Sequence, residues 1–229
     1  MGVKLKPQLQ PTSPSMTTNH LKTAAALAGT ATLLAHTNRA ADAPAVGELI
    51  ANIQSADDKV RGPAWQGAGT AGAAAVQPLA ALLTHPDFEV ARSAKRALYK
   101  ILRQAGRPGA KSEARAVEQE LLALLTSDAL QVRREVLWML SESGSDKAIA
   151  PMAVLLADAQ AREDARCALM RFSSPKATAA LKSAWAKAPE PFKFALAESL
   201  RQRGEKVNGY PSQRLIPTQP TSLSPAKTS

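Results

Sequence analysis

The sequence predicts an all-α fold: an α-solenoid of four to five helix pairs stacked in a right-handed superhelix. Three observations predict it. A short phrase recurs as Val60-Arg61 with Ala64, Val90-Ala91 with Ala94, Val132-Arg133 with Val136, and Ala165-Arg166 with Leu169. Nineteen residues after the first and third anchors comes an apolar run, Leu79-Ala80-Ala81-Leu82-Leu83 and Pro151-Met152-Ala153-Val154-Leu155. In the second copy the run, Leu121-Leu122-Ala123-Leu124-Leu125, arrives twelve residues late. Aromatic residues make up only 4% of the chain, a composition that suits close-packed helices better than strands. Recurrence near thirty residues means one helix pair per unit, each unit burying its apolar face only against the next.

The elements follow in order. Residues 1–43 read as a leader: Lys22 precedes an uncharged, mostly apolar run at 23–35, and a small-residue stretch ends Ala41-Asp42-Ala43. A positive segment, a short apolar core and an A-x-A site describe an export signal, the alternative being a disordered, Ala-rich leader, and thirteen residues are too few for a membrane-spanning helix. The solenoid then covers 44–206, opening with a helix over 44–56 whose Val46, Leu49, Ile50 and Ile53 can cap its N-terminal end. In copy one Asp57-Asp58 precedes the anchor, Gly72 closes the first helix and Pro78 opens the second. Copy two has a longer first helix, capped by Asp87 and followed by the loop Gly106-Arg107-Pro108-Gly109.

Copy three is the clearest. Val132, Val136 and Leu140, with Leu137 and Met139 alongside, form an apolar stripe at helical period. Ser127-Asp128 is expected to cap that helix, and Gly144 to stop it in the left-handed conformation. Its second helix is expected to start near Ala148, with Pro151 in the first turn and Val154-Leu155-Leu156 buried. Anchors at 60, 90, 132 and 165, with Phe192, Leu196 and Leu200 as a fifth, unpaired helix, give spacings of 30, 42, 33 and 27. Second helices fall at 73–84, 113–126, 148–158 and 177–187. Residues 207–229 form a Pro/Ser/Thr-rich tail too polar to fold alone, whose island Leu215-Ile216-Pro217-Thr218 is expected to cover the open solenoid end.

Formal charge is +10; without the leader it is +7, from 25 cations and 18 anions, so an acidic partner is favoured. One cysteine, Cys167, can form no internal disulfide and leaves the redox compartment open.

With these residues stated, Asp57-x-x-Val60-Arg61-x-x-Ala64, Asp87-x-x-Val90 with Ala94 and Ala97-Leu98, and Val132-Arg133 with Val136 and Leu140 resemble HEAT repeats of the short, PBS-lyase-like type. The likeness covers about residues 45–206 and extends, from Ala-x-Ala leader to Gly209-Tyr210-Pro211, to small exported bacterial HEAT-repeat proteins. It implies a structural ladder in which Arg61, Arg133 and Arg166 pair with acids at the turn of an adjacent repeat, interrupted at Ala91. It also implies that second helices line the concave surface. Enzymes built from related repeats need constellations this chain lacks: the His-Glu dyads of di-iron hydroxylases, or the concave aromatic and acidic cluster of the DNA glycosylases. Bilin lyases share the repeat itself, which by itself transfers no activity.

The sharpest charge feature is the first helix of copy two. At 100° per residue Arg92, Arg96, Lys100, Arg103 and Arg107 share an arc of about 80°, with Lys95 near its edge. Such a stripe binds acidic proteins, anionic lipid headgroups or polymers, or phosphates; its commoner use is as a solvated outer face. Trp65, Trp138 and Trp185 read as core or rim packing, not interleaved with the stripe. His85 belongs to a turn and Cys167 reads as a small buried hydrophobe. No nucleophile, metal or cofactor constellation emerges, so catalysis is not expected. The expected function is a non-catalytic scaffold holding a protein or peptide in the cell envelope, periplasmic or extracellular. Arg92, Arg96, Lys100 and Arg103 would meet the partner. The alternatives are a cytoplasmic nucleic-acid-binding module using the same stripe, which export would exclude, and an accessory factor of a lyase or oxidoreductase system.

Overall fold

The computed structural model describes residues 45–212; the expected leader and the apolar island at 215–218 lie outside the described residues. Ten α-helices follow one another: α1 (45–53), α2 (Asp58–Gly67), α3 (Val76–Ala81), α4 (Phe88–Ala105), α5 (Lys111–Leu124), α6 (Leu130–Ser143), α7 (Asp146–Val154), α8 (Arg162–Met170), α9 (Pro175–Lys187) and α10 (Glu190–Gln202). No strand occurs among the described residues. Short 3₁₀ turns at Ala68–Ala71 and Ala73–Ala75 join α2 to α3, and others at Leu82–Thr84 and Leu155–Ala157 finish α3 and α7.

Contacts between helices define the architecture. First helices form one row, α2 on α4, α4 on α6, α6 on α8 and α8 on α10. Second helices form another, α3 on α5, α5 on α7 and α7 on α9. Each pair thus touches its neighbours in sequence, which is the contact pattern of an α-solenoid. The core runs between the rows: Leu79, Ile101, Leu121, Leu137, Leu140, Met152, Leu169, Leu181, Leu196 and Leu200 are all fully buried. Burying each leucine stabilises by about 1.5–3 kcal/mol. Alanines buried to 1% or less, including Ala94, Ala97, Ala148, Ala165, Ala168 and Ala177, let the helix axes approach closely.

The caps follow the sequence at several ends. The Asp57 carboxylate accepts the Lys59 N–H at 2.8 Å, and Asp87 accepts those of Glu89 and Val90 at 2.8 and 3.3 Å. Gly72 takes a φ of 65°, a left-handed conformation that glycine adopts freely, and ends the first helical segment of copy one. Ala129, not Ser127 or Asp128, occupies the cap position of α6; the Ser127 hydroxyl accepts the Ala129 N–H at 3.3 Å.

Gly144 is a second departure. Its φ of −68° and ψ of 145° are extended, so the left-handed conformation is not what this end requires. A Cβ there would lie 2.5 Å from the Leu140 carbonyl oxygen and 3.1 Å from the Ala148 Cβ; glycine serves close approach where α6 turns directly into α7. The second helix begins at Asp146, two residues earlier than expected, with the Ser145 hydroxyl accepting the Lys147 N–H at 3.3 Å. Pro151 therefore sits inside α7, past its first turn.

Two side chains point away from the core where burial was expected, and Trp138, expected in core or rim, lies at the rim. Val154 is 71% exposed, while Leu155 and Leu156 are buried where the helix tightens to 3₁₀ winding. Cys167 is exposed because Ala165, Ala168 and Leu169 set the buried face of α8 and position 167 lies about 200° from Ala165. Trp138, two residues past buried Val136, is turned outward by the same rotation and is 44% exposed.

Packing continues past residue 206. Tyr210 meets Trp185 of α9 and Phe194 of α10 edge-on, with ring centroids 5.8 and 5.1 Å apart. Arg201 donates to the Tyr210 carbonyl at 2.9 Å, and the Ser212 hydroxyl donates to Glu198 at 2.5 Å. No helix among the described residues is long and apolar enough to cross a membrane.

Candidate binding groove beside α4

The amphipathic α4 buries Val90, Ala94, Ala97, Leu98, Ile101, Leu102 and Ala105, which leaves its charged face outward. Asp87 caps its N-terminus and Glu89 lies in its first turn, both favoured by the helix dipole there. Beside that face runs a groove of about 490 Å³, bounded by Trp65 of α2, Leu83, the α4 residues Phe88, Ala91, Arg92, Lys95, Arg96, Tyr99, Lys100 and Arg103, and Gln131 and Glu135 of α6. All four predicted contact residues, Arg92, Arg96, Lys100 and Arg103, line it.

Their surroundings differ. Arg92 pairs with Glu89 at 2.7 Å and lies over the Phe88 ring, 5.7 Å from its centroid. Arg96 lies over Trp65 at 4.9 Å and Lys100 over the same indole at 6.0 Å. Trp65 is therefore built into the basic stripe, contrary to the expectation that no tryptophan interleaves with it. Lys95 crosses to α6 and pairs with Glu135 at 2.5 Å. Arg107, at the far end, leaves the groove and holds Glu113 at 2.6 Å, which lowers the Glu113 carboxyl. Arg96, Lys100 and Arg103 have no carboxylate partner among the described residues. Tyr99 is half-buried, and burial with the nearby Glu135 and Glu142 carboxylates raises its phenol well above the ordinary range.

The three ladder arginines tie the structure together in different ways. Arg133 donates to the Ser127 carbonyl at 2.7 Å and pairs with Asp158, in the turn that opens the next pair, at 3.0 Å. The backbone N–H groups of Gln160 and Ala161, together with Arg133, hold the Asp158 carboxyl below the usual range. Arg61 and Arg166 do not make the implied pairing with an acid of an adjacent repeat. Arg61 bonds Asp58 of its own helix and the Ser55 carbonyl, the latter at 2.6 Å. Arg166 holds Glu163 at 2.7 Å, one turn away, and reaches the Ser199 hydroxyl of α10 at 2.8 Å. Short spacing on the same helix supplies the nearer acid in both cases.

The row of first helices carries further cross-pair contacts. Arg171 of the α8 end lies over Trp138 at 4.6 Å, Arg162 over Phe192 at 5.0 Å, and Arg134 pairs with Asp164 at 2.8 Å. Trp138 is thus a surface contact between α6 and the next unit, and Trp185 packs at the rim against Tyr210. His85 accepts the Asp87 N–H on Nδ1 at 3.1 Å, a turn contact. No group of three His, Cys, Asp or Glu residues able to hold a metal gathers among the described residues.

Trp65, Phe88, Tyr99, Gln131 and Glu135 join the groove without having been expected there from the sequence. For two of them a signal exists: at 100° per residue Phe88 and Tyr99 fall within about 40° of Arg92 on the same helix. The other three reach the groove from α2 and α6, and no spacing within α4 reports them.

No protein-family model matches the chain, and no curated protein matches it. Among solved structures, an engineered protein of the Northeast Structural Genomics Consortium is 23% identical, covering 71% of this chain and 77% of that chain with a TM-score of 0.37. A second engineered protein from the same consortium is 22% identical, covering 69% of this chain and 51% of that chain with a TM-score of 0.31. The fold therefore rests on the helix contacts themselves.

Proposed function

We propose that this chain is a non-catalytic scaffold, a HEAT-repeat solenoid of the short PBS-lyase-like type, that holds an acidic protein partner against α4. One observation carries the reading: Arg96, Lys100 and Arg103 line a groove yet have no carboxylate partner among the described residues, while the neighbouring cations of the first-helix row are paired. Cations held beside an aromatic face are already oriented, so less side-chain freedom is lost when an anion arrives. Recognition then spreads over a surface, with no need of a reacting side chain.

The test is charge reversal. Arg92→Glu, Arg96→Glu, Lys100→Glu and Arg103→Glu together should abolish binding of poly-glutamate to the full chain, while Arg171→Glu, on the same row but outside the groove, should leave it unchanged. Equal binding by both variants would sink the reading. The leader-like residues 1–43 favour a partner outside the cytoplasm. Intact mass of the protein from its own cells checks this, with a chain beginning at Pro44 as the expected species.

A second reading, nucleic-acid binding, gains from Trp65 lying among the cations. It requires log K to fall linearly with log salt in proportion to the phosphates contacted. Absent or salt-insensitive binding of single strands and duplexes removes it.

A further inference from the structure

We propose that the groove beside α4 accepts an acidic peptide through one apolar side chain of that peptide, seated between Phe88 and Trp65 while neighbouring carboxylates meet Arg96, Lys100 and Arg103. The inference rests on the acidic-partner reading and adds what the groove selects.

Charge and apolar surface are both present, which sets the ligand class. Five cations and the single acid Glu135 line the groove, a balance of +4. Its walls also carry Trp65, Leu83, Phe88 and Tyr99, so a ligand that offers charge alone leaves apolar surface uncovered. Phe88 is the clearest sign. It is the first residue of α4, 70% exposed, and Arg92 touches only one face of its ring. An acidic peptide with one buried hydrophobe matches both features. A polyphosphate chain matches them less well, because it has no apolar group to cover Trp65, Leu83, Phe88 and Tyr99. A volume of about 490 Å³ admits one large side chain with its flanking backbone.

The experiment uses the full chain and two short fluorescent peptides of Asp and Glu, identical except that one carries a central Phe and the other Ala. Anisotropy titration should find the Phe peptide bound about tenfold more tightly. Phe88→Ala, a change at an exposed position, should erase that difference. Arg96→Glu with Lys100→Glu should weaken both. Equal affinity for the two peptides in the unaltered chain overturns this inference and leaves the acidic-partner reading standing. Failure of both peptides to bind overturns both. Tighter binding of a single-stranded oligonucleotide of matched charge overturns the peptide assignment.

Discussion

At Gly144 a single added methyl would meet the Leu140 carbonyl oxygen at 2.5 Å, a backbone atom that cannot swing aside. Gly144→Ala is therefore expected to destabilise the protein by about 1–3 kcal/mol, read from the denaturant midpoint. A methyl added at Gly47, within α1, would have nothing within 4 Å, and Gly47→Ala should instead stabilise by up to about 1 kcal/mol. If both changes moved stability in the same direction, close approach would not be the reason for Gly144. Cys167 gives a second residue-scale test. Its exposure predicts complete labelling by a maleimide in the native state, with one equivalent per chain; a thiol that reacts only after unfolding would contradict its place on α8.

Helix ends carry the predictions at the next scale. Asp87 satisfies two free N–H groups of α4, so Asp87→Ala should cost about 1 kcal/mol and fray the end that presents Phe88. Thermal melting reports the loss, and peptide affinity reports the fraying. At the other end of the chain the Ser212 hydroxyl, then Arg201 and Gln202, lower the Glu198 carboxyl from its ordinary 4.5 to about 2. A depressed carboxyl favours the folded state when ionised. Its contribution is complete above pH 4.5 and is lost as pH falls towards 2. Residues 207–212 should accordingly release from α10 across that window, seen as lower amide protection factors there, and Glu198→Gln should shrink that pH dependence of protection, leaving the part due to Glu190, which accepts from the Tyr210 hydroxyl. Protection unchanged in the unaltered chain between those values would refute the link.

At the scale of the whole molecule, contacts run mainly between neighbouring pairs, with Leu82–Thr84 of the first pair also reaching α6, so stability should be transmitted largely pair by pair. Leu140 lies in the middle of the first-helix row and Leu196 near its end, both fully buried. Each change to Ala should cost about 2–5 kcal/mol locally. Hydrogen exchange distinguishes them: Leu196→Ala should expose α9 and α10 while α2 to α5 stay protected, whereas Leu140→Ala should raise exchange in units on both sides. Uniform loss of protection in both variants would show one all-or-none unit in place of a stack. The groove belongs to this scale too, since it draws on α2, α4 and α6 together.

The repeat phrase, the leucine runs and the fifth helix are legible in the chain because helical period and cap chemistry are local: Val132, Val136 and Leu140 face one way whatever surrounds them. That locality determined the α-solenoid and the stripe on α4. It also has a limit within single helices, where residue type points Cys167 and Val154 inward although their angle from the buried face turns them outward. Tertiary structure alone decided what the stripe meets. Trp65 comes from the preceding first helix and Glu135 from the following one, and the rotation between successive pairs sets whether Arg96 reaches an indole, a carboxylate or water. No residue spacing encodes that rotation; it arises from how the alanine and leucine faces of neighbouring pairs pack.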